Sequence, residues 1–164
     1  MPFNYHRISI SFFFVLSTIF LNAQTVKYTY GKNQWNTDSL GNHRAVLNFN
    51  GKGIVAKSII EWRRRDDDPQ LKRIILQDAK MGAKIYNYKT GIFNNDKLEL
   101  WFEPISGKGK YYLYYLLYKN EGRANYPKGV YLATENKAAP DWLAKTGNQK
   151  SLNTTVVEIQ SIDS

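Results

Sequence analysis

The chain contains no cysteine. Disulfides are impossible, and so are thiolate metal sites, thiol nucleophiles and lipid attachment through a cysteine. Histidine is almost as scarce, with only His6 and His43 in 164 residues. That excludes the multi-ligand set of a histidine zinc site. Serine never occurs in a Gly-x-Ser-x-Gly elbow: Ser39 precedes Leu40-Gly41 and Ser106 precedes Gly107, without the strand-to-helix turn that exposes a nucleophile. Gly107-Lys108-Gly109 lacks the following helix that a phosphate cradle requires. No internal repeat or coiled-coil period is present, and helix signals are poor nearly throughout.

Long apolar runs are also missing, with one exception at the start. His6 and Arg7 precede an apolar stretch over 8–21, and Asn22-Ala23 follow. A basic start, a greasy core and a small-residue exit form the pattern of a cleaved secretory signal over residues 1–23. The stretch is short for a membrane span, which takes about 20 apolar residues, so no stable span is expected after cleavage. The expected location is exported, periplasmic or extracellular. The formal charge is +9, or +8 without Arg7. An exported chain with scattered basic residues is not read as a nucleic-acid binder. Acidic glycans or an anionic envelope surface are better partners for that charge, and a plain solvated face is favoured over either.

Short apolar stretches alternate with glycine, asparagine and aspartate clusters, the pattern of an all-β domain. Asn50-Gly51 is a tight-turn signal. Ile54, Ala56, Ser58, Ile60 and Trp62 share one face of an extended segment. Leu98, Leu100 and Phe102 alternate with Glu99, Trp101 and Glu103, and Pro104 ends that strand. Tyr111-Tyr112-Leu113-Tyr114-Tyr115-Leu116-Leu117-Tyr118 has two substantial faces, which predicts a central strand. Gly91 to Lys97 is expected as a loop, Ala138 to Ala144 as a short helical turn, and Thr154 to Ile159 as strand-like. Seven or eight strands without a good helix predict an immunoglobulin/fibronectin-III-like two-sheet β-sandwich over residues 24–137. Residues 138–164 are expected as a C-terminal extension, the start of a linker to a further domain.

Five features carry the candidate site residues. In Glu61-Trp62-Arg63-Arg64-Arg65-Asp66-Asp67-Asp68-Pro69, an extended backbone sends Arg63 and Arg65 one way and Arg64 the other. Guanidinium forks suit carboxylates and phosphates, but the adjacent aspartates compete for them. A structural rim or domain contact is favoured over a direct ligand site. Trp35, Trp101, Tyr112, Tyr114 and Trp142 offer rings for stacking on sugars, while the same rings also serve a sandwich core. Glu99 and Glu103 lie about 13 Å apart along a strand, too far for the roughly 5–9.5 Å carboxylate spacings of glycosidases. Asp66 to Asp68 and Asn94-Asn95-Asp96 lack complete calcium-loop spacing. No cofactor and no metal site is expected.

Several stretches resemble the N-terminal region of glycoside hydrolase family 123 proteins. They are Tyr28 to Gly31; Trp35, Asn36, Asp38, His43 and Arg44 within 35–46; Ile60 through Trp62, Arg63, Arg64, Arg65 and Asp66; Phe102-Glu103-Pro104 leading into Gly107 to Tyr112; and Asn125-Tyr126-Pro127. The resemblance implies a β-sandwich preceding a catalytic (β/α)-barrel. In that family an adjacent Asp-Glu pair on the barrel releases terminal N-acetylgalactosamine with help from the substrate's own acetamido group. This chain has no adjacent Asp-Glu pair, and a barrel alone takes about 250 residues. The activity therefore transfers to no residue here. What the resemblance implies is a noncatalytic accessory module for a glycan-degrading domain, with Trp35, Asn36, Asp38, His43, Arg44, Trp62, Arg63, Arg64, Arg65, Asp66, Trp101, Asn125 and Tyr126 as glycan or domain contacts. The alternative is a free-standing carbohydrate-binding module.

N-terminal sequencing of the protein recovered from an exporting bacterial host is expected to begin at or near Gln24. Retention of Met1 would overturn the signal reading.

Overall fold

The computed structural model describes residues 26–32, 34–135, 137–148 and 151–163. The signal expected over 1–23 lies outside them. The chain forms β1 (Lys27–Tyr30), α1 (Thr37–Leu40), β2 (His43–Phe49), β3 (Ala56–Glu61), β4 (Ile75–Asp78), β5 (Lys84–Ile85), β6 (Tyr88–Phe93), β7 (Lys97–Phe102), β8 (Gly109–Tyr115), β9 (Tyr118–Asn120), β10 (Gly129–Tyr131), α2 (Pro140–Asn148), β11 (Leu152–Asn153) and β12 (Thr155–Ser161). One sheet has the order β1-β12-β2-β8-β4-β5 and the other β11-β3-β7-β6, and β9 and β10 make a separate hairpin.

Period-two patterning explains how the sheets close on each other. Leu98, Leu100 and Phe102 on β7, with Ala56 and Ile60 on β3, are buried from the four-stranded sheet. Ala45, Leu47 and Phe49 on β2, and Tyr111, Leu113 and Tyr115 on β8, meet them from the six-stranded sheet. The antiparallel registers place Ala45 opposite Leu113 and Leu113 opposite Leu76, so one continuous apolar row crosses three strands. β8 is central, as its two bulky faces require: Tyr114 is buried on the opposite side of the same strand.

The structure corrects three local expectations. The tyrosine-rich strand stops at Tyr115, because Leu116 takes a left-handed backbone (φ 62°). Gly41 packs at this kink: with φ 74°, a Cβ there would lie 2.8 Å from the carbonyl oxygen of Tyr115. The loop expected from Gly91 is largely strand, since β6 continues to Phe93. Glycine suits that strand because the Trp101 ring and the Glu99 carboxylate occupy the space a Cβ would take, each at 2.9 Å.

The third correction concerns the stretch expected as a C-terminal extension, whose described strands β11 and β12 belong to the sandwich. β12 sits between β1 and β2, pairing parallel with the first and antiparallel with the second. Its Val156 and Ile159 are core residues. α2 buries Trp142, whose indole N–H donates to the Ile54 carbonyl at 3.4 Å. The boundary at 137 missed this because β12's partners lie more than a hundred residues earlier in the chain.

A chain ending after Lys137 lacks an interior strand of the larger sheet. It is expected to show no cooperative thermal transition by far-ultraviolet circular dichroism, whereas the full chain does.

Candidate functional site

A cleft of about 660 Å³ opens at one end of the sandwich. It lies where β1, β8 and β12 finish, where β2 begins, and where the chain leaves β3. The alternation of β3 continues beyond the strand: Trp62 and Arg64 turn inward and are buried, while Arg63 and Arg65 remain exposed. Trp62 packs 4.9 Å from the Tyr115 ring and 5.6 Å from Phe93, measured between centroids. Its indole N–H donates to the Asn94 carbonyl at 2.9 Å. The Arg64 guanidinium lies 4.9 Å from the Trp62 ring and 5.5 Å from that of Tyr115, within cation–π range.

The turn at Asn94-Asn95-Asp96 brackets this segment. The Arg64 backbone N–H donates to the Asn95 carbonyl at 3.0 Å. The Asn95 side-chain amide donates to the carbonyls of Arg64 and Asp66, at 3.3 and 2.8 Å. The Asn94 side-chain oxygen accepts from the backbone N–H groups of Asp96 and Lys97. The polar atoms of this turn thus hold a neighbouring loop.

Asp66 completes the arrangement. It receives a fork from Arg64, Nε to Oδ1 at 2.8 Å and Nη2 to Oδ2 at 2.6 Å, and a third bond from Lys72 Nζ at 2.7 Å. Only 2% of the Arg64 side chain and 11% of the Asp66 side chain are exposed, so this is a partly desolvated, charge-assisted pair. Burial alone would raise the Asp66 carboxyl, but the hydrogen bonds and charges of Arg64 and Lys72 outweigh it and hold the group at about 2. Arg64 Nη1 is buried without an acceptor.

His43 is half-buried on the cleft floor, its ring 5.5 Å from that of Tyr115. Nδ1 meets the Asn42 side-chain oxygen at 2.7 Å, so in the neutral ring Nδ1 carries the proton. Burial first, then the charge of Arg64, lowers the His43 pKa against the opposing pull of Asp66. Burial likewise raises the Tyr115 phenol.

The residues singled out in the sequence separate into five places. His43, Trp62, Arg63, Arg64, Arg65 and Asp66 meet at the cleft. Arg44 and Trp35 meet on the outer face of the larger sheet. There the Arg44 guanidinium lies 4.4 Å from the Trp35 ring and 4.0 Å from that of Tyr112, and it donates to Gln160 at 2.6 Å and to the Tyr114 hydroxyl at 3.1 Å. Asn36 caps α1, accepting from the Ser39 backbone N–H at 3.0 Å, and Asp38 lies in that exposed turn. Trp101 lies on the outer face of the smaller sheet, with the ammonium groups of Lys57 and Lys89 4.7 and 5.4 Å from its ring centre. Asn125 and Tyr126 are exposed in the β9–β10 connection. The structure therefore does not gather Trp35, Arg44, Trp101, Asn125 or Tyr126 into the cleft.

The sequence reading of the site did not name Tyr28, Tyr115 and Tyr131, which line the cleft, nor Lys72, which reaches it through Asp66. Lys72 follows a 3-10 turn at Pro69–Leu71 and reaches back to Asp66, with Nζ 4.3 Å from the Tyr131 ring centre. No local pattern announces that reach.

Fold and cleft define a two-sheet β domain with a basic groove at one end. A family model described as the glycoside hydrolase 123, N-terminal domain, matches residues 33–162, and the chain belongs to that family. No curated protein and no solved structure matches it.

The Asp66 interaction has a pH signature. Its carboxyl titrates at about 2 when folded, below the ordinary 3.8, so its contribution is present above about pH 4 and is lost as pH falls towards 2. At this partly open rim that amounts to about 1–2 kcal/mol after solvent screening. Asp66→Asn is expected to lower stability at pH 7 by about 2–4 kcal/mol, because Arg64 is left buried without its anion. It should also flatten the acid-side loss between pH 4 and 2. Urea melts of both proteins across this range measure both effects.

Proposed function

We propose that this domain is a noncatalytic accessory module of an exported, glycan-degrading protein, packing on or orienting a catalytic domain. The observation that carries this reading is the state of Asp66, the only carboxylate lining the cleft among the described residues. A glycosidase needs two carboxyl groups, one of them kept protonated as the acid. Asp66 is held ionised by three charge-assisted bonds, so near neutrality it has no proton to give. Membership of the glycoside hydrolase 123 N-terminal family supports the association with glycan degradation. The basic start, apolar core and small-residue exit over 1–23 support export.

A second reading, glycan binding by the domain itself, is favoured by one observation. Tyr28 and Tyr131, which also line the cleft, are 61% and 43% exposed, leaving surface open to a sugar beside the Lys72 ammonium that faces the Tyr131 ring.

The purified chain is expected to release no aryl alcohol from an aryl N-acetylgalactosaminide above the buffer rate. Turnover that disappears on replacing one specific carboxylate would overturn the noncatalytic reading.

A further inference from the structure

We propose that the end cleft binds an anionic sugar, a uronic-acid or sulfate-bearing residue of a glycan. The proposal rests on the glycan-associated reading above and adds the chemical class of the ligand.

The charge of the cleft is the first ground. Three guanidinium groups line it against one carboxylate. That carboxylate is already engaged at both oxygens by Arg64 and Lys72. Arg63 and Arg65 are exposed and form no ion pair with any described residue. Asp66 therefore does not compete for them, contrary to what its sequence position implies. A concave surface with unneutralised guanidinium groups focuses positive potential, and planar forks suit carboxylate and sulfate oxygens.

Shape and ring placement supply the second ground. A cleft of about 660 Å³ falls in the range of small-ligand sites, roughly 300–1,000 Å³. His43, Trp62 and Tyr115 form its inner lining. Tyr28 and Tyr131 present partly open rings at the same cleft. Amphipathic tyrosine rings give an apolar face with a polar tip, which fits the C–H face and hydroxyl edge of a pyranose. Guanidinium groups alone would serve any polyanion, and rings alone any sugar. Their combination selects a sugar that carries a negative charge.

Rigidity is the third ground. The loop bearing Arg63 and Arg65 is fixed between them by buried Arg64, by the Asn95 bonds and by Asp66. The two exposed arginines are thus carried on a backbone held in advance, which lowers the ordering cost of binding.

Calorimetric titration of the full chain tests this with four probes: trigalacturonic acid, its methyl ester, a sulfated galactose trisaccharide and hexaglutamate. Saturable binding is expected for the acid trimer, the sulfated trimer or both, and the pattern identifies the anion. The methyl ester and hexaglutamate should bind at least about tenfold more weakly. Arg63→Ala and Arg65→Ala should each weaken binding about tenfold, with unchanged melting because both side chains are exposed. The pair Tyr28→Ala and Tyr131→Ala should weaken it comparably. Binding should also fall as salt rises from about 0.05 to about 0.5 M.

Equal binding of the methyl ester would overturn the anionic selection and leave glycan binding standing. Equal binding of hexaglutamate, or indifference to the tyrosine changes, would overturn the sugar assignment. Failure of both anionic sugars to bind would overturn the proposal outright. The accessory, noncatalytic reading is decided separately by the hydrolysis assay.

Discussion

The contact between Trp62 and Tyr115 holds the functional end of this domain together. One ring follows β3 in the smaller sheet and the other ends β8 in the larger, and their centroids are 4.9 Å apart. Both residues are nearly fully buried. Rings of this size bury about 150–250 Å² each; at about 25 cal/mol per Å² that is several kcal/mol apiece. An exposed ion pair contributes about 0–1 kcal/mol. The aromatic contact therefore sets how the sheets meet at this end, and the charged residues arrange themselves on the surface it provides.

Arg64 illustrates that order of effects. Its guanidinium rests over the two rings and its fork closes on Asp66. A buried ion pair is a poor source of net stability but a good device for fixing geometry, since breaking it strands a charge. Here it fixes the loop that carries Arg63 and Arg65. The run of three arginines into three aspartates thus divides its labour: Arg64 and Asp66 neutralise each other and build the rim, while the flanking arginines stay available. Arg64 and Asp66 fit the structural-rim expectation, and the proposed ligand role falls on Arg63 and Arg65.

The second arginine cluster serves a different purpose. Arg44 is stacked between Trp35 and Tyr112 and bonded to Gln160 and Tyr114. It ties α1, β2, β8 and β12 together on the outer face of the larger sheet, with its polar groups satisfied and its ring partners consumed. A glycan would have to displace those contacts. The end cleft, whose tyrosines keep open surface, is the better place for recognition. The chain belongs to the glycoside hydrolase 123 N-terminal domain family, and at the cleft Asp66 is fully engaged by Arg64 and Lys72.

Some of this was legible in the sequence because it depends on neighbours along the chain. Period-two alternation identified the inward faces of β3 and β7 and the central place of β8, and the same geometry separated Arg64 from Arg63 and Arg65. The rest depends on residues far apart in sequence, whose pairing carries no local signal. Lys72 and Asn95 reach the arginine loop from separate turns, Tyr131 arrives on a hairpin, and Gln160 meets Arg44 across 116 positions. β12 reads as a strand by composition, but only its hydrogen bonds to β1 and β2 reveal it as an interior strand. By itself the sequence determined which side of each strand is apolar, because backbone pleating dictates that. Tertiary structure alone decided which strands are neighbours and which charges are left free, because both follow from long-range packing.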